Sequence, residues 1–287
     1  MTSDYPAAAR DLNQALTIYR DLGDRLGQAN VLSYLGSGQR HVGDNPGATQ
    51  AFMGALDIYR DLGDRTGQAD ALYYLGGVRR RTGDYLAAAQ VIEESLDILR
   101  DLGDRRSQAN ALCQLGDVRL ATGDYPAAAQ ALGQALGICR DIGDRFGQAF
   151  PLLHLGVVRR ATGDYPPAAQ ALDEALGIYR DLGDQVGELE VLNEKGTLHR
   201  VSGDLAQAEG CHQHALEQAR AVASPWTEAH ALAGLGRCAL AAGHTDEAAD
   251  MLRQALEIFR RMGAAEAAGV SAELDAVTEA QPAAPGS

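Results

Sequence analysis

The heptapeptide Tyr19-Arg20-Asp21-Leu22-Gly23-Asp24-Arg25 recurs along the chain at a fixed spacing. It returns as YRDLGDR at Tyr59, LRDLGDR at Leu99, CRDIGDR at Cys139 and YRDLGDQ at Tyr179. The period is 40 residues, without insertion or deletion. A second marker, Gly-Asp, keeps the same register at Gly43, Gly83, Gly123, Gly163 and Gly203. Two punctuation points in each unit predict a stacked array of two-element units.

Both elements of each unit have the apolar spacing of helices. Ala29, Leu32 and Leu35 form the stripe of a first helix, and a longer stripe from Ala48 to Leu62 marks the second. The Gly-Asp pairs suit a left-handed helix end followed by the cap of the next helix. The sequence therefore predicts six helix hairpins, at 24–63, 64–103, 104–143, 144–183, 184–223 and 224–263.

The two ends of the array differ from its middle. Residues 1–23 match a second helix without a first helix before it, and 264–280 predict an acidic capping helix, followed by a disordered tail at 281–287. An array that starts in mid-unit leaves an apolar edge uncovered. We therefore expect either a longer parent chain or self-association through this N-terminal edge, and light scattering that finds a strict monomer would exclude the self-association.

Small residues recur where the two helices of a hairpin must approach each other. A Leu-Gly pair occupies the first helix at Leu35-Gly36, Leu75-Gly76, Leu115-Gly116, Leu155-Gly156 and Leu235-Gly236. The second helix carries an alanine at Ala48, Ala88, Ala128, Ala168, Ala208 and Ala248. A later small residue follows at Ala55, Ser95, Ala135, Ala175, Ala215 and Ala255.

These positions resemble the packing pattern of the tetratricopeptide repeat family, in its 40-residue variety, over almost the whole chain. The resemblance implies an all-α fold, a right-handed superhelical α-solenoid of antiparallel helix hairpins. Two departures from the family pattern are the longer connection in place of a terminal proline and the loss of the first helix's aromatic residue. The form of the repeat is similar to that of Leu-Gly-Asn scaffold proteins and of the sensor regions of bacterial signalling ATPases and transcription regulators, which implies partner binding.

Composition narrows the class of protein further. The net charge of −14 argues against a general binder of nucleic acids or anionic membranes. No apolar run is long enough to span a membrane and no signal peptide opens the chain, so we expect a cytoplasmic protein. The Arg, Ala and Gly bias, with Lys195 as the only lysine, is typical of a GC-rich bacterial gene.

Positions that differ between the hairpins are the candidates for partner contact, because positions shared by all copies are explained by stacking. In the family that this chain resembles, ligands touch outward positions of the first helices, on the concave face. The corresponding candidates here are Asn30, Tyr34, Arg40, Asp70, Tyr73, Tyr74, Arg80, Asn110, Gln114, Asp117, Phe150, His154, Arg160, Asn193 and Arg200. Drift of unconstrained surface positions is an equal alternative for most of them.

Arginines form the most suggestive of these rows. Arg40, Arg80, Arg160 and Arg200 share one position, and Arg79, Arg81 and Arg159 flank them. Guanidinium groups grip carboxylates with two parallel hydrogen bonds, so the row favours an acidic peptide as partner. In the alternative interpretation the arginines pair with connection residues such as Asp84 or Asp124 and only steady the hairpins.

Catalytic and metal chemistry find little support. The sequence has no GxxxxGK[ST], G-x-S-x-G, HExxH or GxGxxG motif, so we expect no enzyme and no cofactor. Cys211 and His214 could lie on one face of a helix, but a third metal ligand is missing, and polar residues there are more often surface. The positions of the family's carboxylate clamp carry unsuitable residues, which argues against binding of chaperone C-termini.

The sequence thus predicts a non-catalytic module that binds a protein or peptide segment on its concave face, as the sensor or scaffold part of a larger bacterial regulator. Alternatives are a self-assembling structural array and a small-molecule or signal-peptide sensor. The arginine row alone also raises nucleic-acid binding, which an absence of salt-dependent binding to RNA or DNA would exclude.

Overall fold

The computed structural model describes residues 5–279, and within that range the regular structure consists of helices. The expected tail at 281–287 lies outside the described residues. The helices are α1 Tyr5–Asp21, α2 Arg25–His41, α3 Asn45–Leu62, α4 Arg65–Arg81, α5 Tyr85–Leu102, α6 Arg105–Ala121, α7 Tyr125–Asp141, α8 Arg145–Ala161, α9 Tyr165–Leu182, α10 Gln185–Val201, α11 Leu205–Ala221, α12 Pro225–Ala241, α13 Thr245–Met262 and α14 Glu266–Glu279. The all-α class of antiparallel hairpins expected from the sequence is confirmed.

The helices fall into two compact units, which divide between Gly147 and Gln148. In the N-terminal unit α2 pairs with α3, α4 with α5 and α6 with α7, while α1 packs on α2. In the C-terminal unit α10 pairs with α11 and α12 with α13, and α14 packs on α13. We call α2, α4, α6, α8, α10 and α12 first helices, and the helix that follows each of them its second helix.

Short polar and glycine signals set the helix ends. The Asp24 carboxylate accepts the Gly27 backbone N–H at 2.8 Å, and Asp64 and Asp104 cap their helices in the same way. Glycine follows most helices with a positive φ, as predicted. Ala223 takes the glycine position of its hairpin with a φ of +52°, the one non-glycine residue with positive φ among those described.

The core is built from the small residues that the repeat pattern singled out. Ala48, Ala88, Ala128, Ala168, Ala208 and Ala248 are each 0% exposed. A Cβ added to Gly36 would lie 3.0 Å from the Phe52 ring, and at Gly116 it would lie 2.6 Å from Leu132. These glycines therefore let the second helix approach the first, as the sequence predicted.

The first helix face and its arginines

First helices contact one another within each unit, α2 with α4 and α4 with α6 in the N-terminal unit and α10 with α12 in the C-terminal unit. The hairpins are therefore drawn together on the first-helix side. We call the surface formed by the first helices the first-helix face, and the variable rows predicted from the sequence lie on these helices.

An aromatic cluster marks the first-helix face of the N-terminal unit. The Tyr74 ring stacks on Phe52 with ring centroids 5.5 Å apart, and Tyr73 meets Tyr74 edge-on at 5.4 Å. The Arg40 guanidinium lies over the Tyr74 ring, 5.7 Å from its centroid. This cation–π contact joins α2 to α4.

Arg40 and Arg80 both act on Tyr73. Burial of the Tyr73 hydroxyl and the nearby Tyr74 and Cys113 raise its pKa, while the charges of Arg40 and Arg80 oppose that rise. The Nε atoms of both arginines are buried without a hydrogen-bond partner. Neither arginine has an ion pair among the residues that the structure describes, so their positive charge stays available on this face.

The flanking arginines have a different role. Arg79 donates to the backbone carbonyl of Ala87 at 3.2 Å, and Arg159 donates to that of Pro167 at 3.1 Å. Arg81 donates to the Arg40 carbonyl at 2.9 Å. Arg79 and Arg159 therefore steady their own hairpins, but through backbone carbonyls rather than through Asp84 or Asp124.

Several predicted contact residues of the N-terminal unit are already engaged inside the protein. Asn30 accepts a hydrogen bond from the Tyr59 hydroxyl at 2.8 Å. The Gln114 side-chain amide donates to the Tyr73 carbonyl at 3.0 Å and accepts from the Gly77 N–H at 3.1 Å. Tyr34 is 66% exposed and Asp117 is half-buried, whereas Asp70 and Asn110 border a small cavity described below.

In the C-terminal unit the arginine row is partly neutralised. Arg160 forms an ion pair with Glu194 at 3.1 Å, between the same two repeat positions that bring Arg40 to Tyr74. Phe150 and His154 stack on each other with ring centroids 4.0 Å apart. For Arg200 the matching repeat position holds Gly234, which has no side chain to pair with it, and the Nε of Arg200 is buried without a hydrogen-bond partner.

Asn193 was predicted to contact a partner, but the structure buries its side chain, which is only 6% exposed. Its side-chain amide donates to the Thr227 carbonyl at 3.2 Å, and its Oδ1 lies 3.1 Å from Nδ1 of His212. His212 is itself only 1% exposed, contrary to the expectation that the polar residues of this stretch are surface. A buried imidazole needs a hydrogen-bond partner, and Asn193 supplies it.

His212 occupies a slot between two glycines. A Cβ added to Gly196 would lie 2.7 Å from its Nε2, and one added to Gly234 would lie 2.3 Å from its Cε1. Burial lowers the pKa of His212, and the charges of Arg200 and Arg237 act in the same direction, so that together they bring it to about 4. The repeat register could have revealed this residue, because it shares its position with Phe52, Ile92, Leu132, Leu172 and Leu252.

Cys211 and His214, the pair weighed and disfavoured as metal ligands in the sequence, lie on α11. Among the described residues, no group of three or more His, Cys, Asp or Glu side chains could hold a metal ion. His214 is exposed while its neighbour His212 is buried, so the two histidines point in different directions. Trp226 packs edge-on against Phe259 of the same hairpin, with ring centroids 6.0 Å apart.

Comparison with known proteins supports the repeat assignment. A family model described as tetratricopeptide repeat matches residues 28–101, 67–141, 107–181 and 187–261. A search of curated proteins found no match. Among the described residues, no helix combines the length and apolar character needed to cross a membrane.

Solved structures share the fold at low sequence identity. The apo form of RapI is similar at 15% identity and a TM-score of 0.79, with 91% of this chain and 93% of that chain covered. A signal transduction ATPase with numerous domains and a tetratricopeptide repeat sensor, from Pyrococcus horikoshii, aligns at 15% identity and a TM-score of 0.68 over 88% of this chain and 39% of its own. The Rap conjugation gene regulator of the plasmid pLS20, in complex with the Phr* peptide, aligns at 17% identity and a TM-score of 0.65 over 76% of this chain and 61% of its own.

Proposed function

The chain belongs to the tetratricopeptide repeat family, and on that premise we propose that it is a non-catalytic module that binds an extended peptide segment along the first-helix face of its N-terminal unit. The module would serve as the sensor or scaffold part of a bacterial cytoplasmic regulator. The Rap regulator with bound Phr* peptide and the ATPase with a repeat sensor have this fold, which supports that class of role.

The observation that carries the proposal is that Arg40 and Arg80 have no ion-pair partner among the described residues. Within a chain of net charge −14, these two guanidinium groups keep no carboxylate partner among the described residues, and Arg40 rests on an aromatic ring instead. Arginines that only stabilised the hairpins would be expected to end on carbonyls, as Arg79 does. Carboxylates of a bound peptide would supply the hydrogen-bond acceptors that both guanidinium groups lack.

The test compares two double variants of equal charge change. A peptide is first selected on the protein from a random heptapeptide phage library, and its affinity is measured by fluorescence polarisation. We expect R40Q/R80Q to weaken binding about tenfold or more, since charge-assisted hydrogen bonds contribute about 1.5–3 kcal/mol each.

The control is R60Q/R100Q, which removes two exposed arginines from second helices, where they pair with Glu94 and Asp97. This variant should bind as the parent protein does. Equal loss in both variants would show that the effect is general electrostatics, and unchanged affinity in R40Q/R80Q would refute the proposal.

A further inference from the structure

Tyr59 fills a space between the first helix and second helix of the hairpin 24–63. Its hydroxyl donates to Asn30 Oδ1 at 2.8 Å and lies 3.4 Å from the Ser33 hydroxyl, and the residue is 5% exposed. The ring also lies against the backbone of Gly67, where an added Cβ would be within 2.4 Å of it. In this hairpin the protein supplies its own aromatic ring and hydrogen-bond donor to the first-helix face.

The next hairpin, 64–103, has neither an aromatic ring nor a hydroxyl donor at the position of Tyr59. Leu99 stands in the position of Tyr59, Asp70 in that of Asn30, and Ser107 in that of Gly67. A cavity of about 120 Å³ lies there, lined by Leu99, Asp70, Tyr73, Tyr74 and Asn110, among others. We call it the Leu99 cavity. Its lining residues Leu99, Asp70 and Tyr73 hold the repeat positions of Tyr59, Asn30 and Ser33, whose side chains meet at the Tyr59 hydroxyl in the preceding hairpin. At the position of the Asn30 amide, the cavity therefore has the carboxylate of Asp70.

The chemistry of the walls selects the kind of group that fits. Leu99 and the rings of Tyr73 and Tyr74 offer apolar contact, while Asp70 and Asn110 offer acceptors. Burial raises the pKa of Asp70, and the neighbouring carboxylates of Asp104 and Asp64 raise it further. An ionised carboxylate in such surroundings is stabilised by a positively charged donor more than by a hydroxyl.

We propose that the Leu99 cavity receives a lysine or arginine side chain of the bound peptide, and the inference rests on the peptide-binding function proposed above. The aliphatic stem of the side chain packs on Leu99 and the tyrosine rings, and the cationic end meets the Asp70 carboxylate. The rings add a cation–π contribution. The charges of Arg40 and Arg80 also act on Tyr73, and Arg40 lies over the Tyr74 ring, so the preferred peptide carries an acidic side chain near its basic one.

The cavity can be probed without a peptide partner. Nα-acetyl-arginine amide and Nα-acetyl-lysine amide are titrated into methyl-labelled protein while the alanine methyl signals are followed by NMR. We expect saturable shifts in the millimolar range of the methyl signal of Ala69, which lines the cavity and is retained in every variant below. Nα-acetyl-norleucine amide, which keeps the stem without the charge, and Nα-acetyl-glutamate amide should bind at least fivefold more weakly.

The matched variant fills the cavity with the residue pair that the preceding hairpin carries. L99Y/S107G recreates the tyrosine–glycine pair of Tyr59 and Gly67, and it should abolish the shifts, while S107G alone keeps them. D70N should retain the fold and lose the preference for the cationic probes. Equal binding of the glutamate probe, or unchanged shifts in L99Y/S107G, would overturn the inference.

The two proposals fail in different ways. A selected peptide whose affinity falls in R40Q/R80Q but not in L99Y/S107G or D70N would leave the peptide-binding function standing and remove the cavity from it. Loss of affinity in none of these variants would refute the peptide-binding face itself, whatever the small probes do.

Discussion

His212 shows what a single substitution does at a core position of a repeat. The same position holds Leu172 in the preceding hairpin, where Leu153 replaces Asn193. In the hairpin of His212, the Nδ1–H donates to Asn193 and the Nε2 is buried without a partner. A buried polar group without a partner is destabilising by about 1–3 kcal/mol.

We therefore expect H212L/N193L to raise the free energy of unfolding by about 1–2 kcal/mol at pH 7, because it restores the apolar pair of the preceding hairpin. Urea unfolding followed by circular dichroism measures the change. N193L alone should instead destabilise the protein, since it leaves the imidazole without its partner. If N193L proves as stable as the double variant, the His212–Asn193 contact contributes nothing.

The sequence could not reveal the use of such residues, although it revealed their positions. Residue types alone suggested that Cys211-His212-Gln213-His214 is a surface stretch, and only the 40-residue register assigns His212 to the core. Asn193 was misassigned for a related reason, because its repeat position is also buried in the neighbouring hairpins, at Leu153 and Ala233. Gln114 escaped for another reason: its hydrogen bonds go to backbone atoms of a neighbouring helix, which no sequence pattern records.

At the scale of helices, the contact between one hairpin and the next depends on a tyrosine that faces a glycine. Tyr19 faces Gly27 and Tyr59 faces Gly67, with an added Cβ at 2.4 Å from the ring in both cases. Where leucine replaces the tyrosine, at Leu99, serine is tolerated opposite, at Ser107. Cys139, which also replaces the tyrosine, keeps glycine opposite it at Gly147, so tyrosine is matched by glycine whereas the smaller Leu99 and Cys139 are found with serine and glycine.

G67A should destabilise the protein by about 1–3 kcal/mol, because the new methyl group forces the buried Tyr59 ring out of place. G137A is the control, since the structure has nothing within 4 Å of a Cβ added there. This second change should stabilise α7 by about 0.5–1 kcal/mol through helix propensity. Both values come from thermal unfolding, and a stabilised G67A would show that the ring moves freely.

The helices themselves were predictable because each signal that defines them is local. Periodic leucines and alanines, an aspartate cap and a glycine end recur in every unit, so one hairpin predicts the others. Ala223 is an exception whose glycine signal is missing, yet the helix still ends there with a positive φ. Packing of the surrounding hairpins thus overrides a local preference of about 1–2 kcal/mol.

At the scale of the whole molecule, acid should affect the two units unequally. His212 lies in the C-terminal unit, and its pKa falls from 6.5 in the unfolded chain to about 4 in the folded protein. Between pH 6.5 and pH 4 the unfolded state therefore binds more protons than the folded state, so the free energy of unfolding falls as the pH falls through this range. The loss amounts to about 3 kcal/mol.

Hydrogen exchange at pH 7 and pH 4.5, corrected for intrinsic rates, would locate this effect. We expect protection to fall first in 185–241, where α10 and α12 pack on α11 around His212, and H212L/N193L to remove that difference. An equal loss of protection in the N-terminal unit, or an unchanged difference in the double variant, would assign the acid sensitivity to other groups.

The whole array was predictable from its period, whereas the candidate site was only located to a face. The sequence placed the variable rows on the first helices because shared positions are explained by stacking. Which members of a row are open, engaged or buried depends on contacts between hairpins, as the pairs Arg40–Tyr74 and Arg160–Glu194 illustrate. In the same row, Arg40 lies over an aromatic ring and keeps its charge, whereas Glu194 neutralises the charge of Arg160.

The Tyr59 side chain occupies the space in its hairpin that a bound ligand could otherwise occupy. In a hairpin with a smaller residue at this position, the neighbouring helices leave that space preformed. On the proposal made for the Leu99 cavity, a hairpin that loses this tyrosine would gain a recognition site without remodelling of the scaffold, while the hairpins that keep it hold the array together. New specificities in an array of this kind can arise by losing this tyrosine in one hairpin at a time.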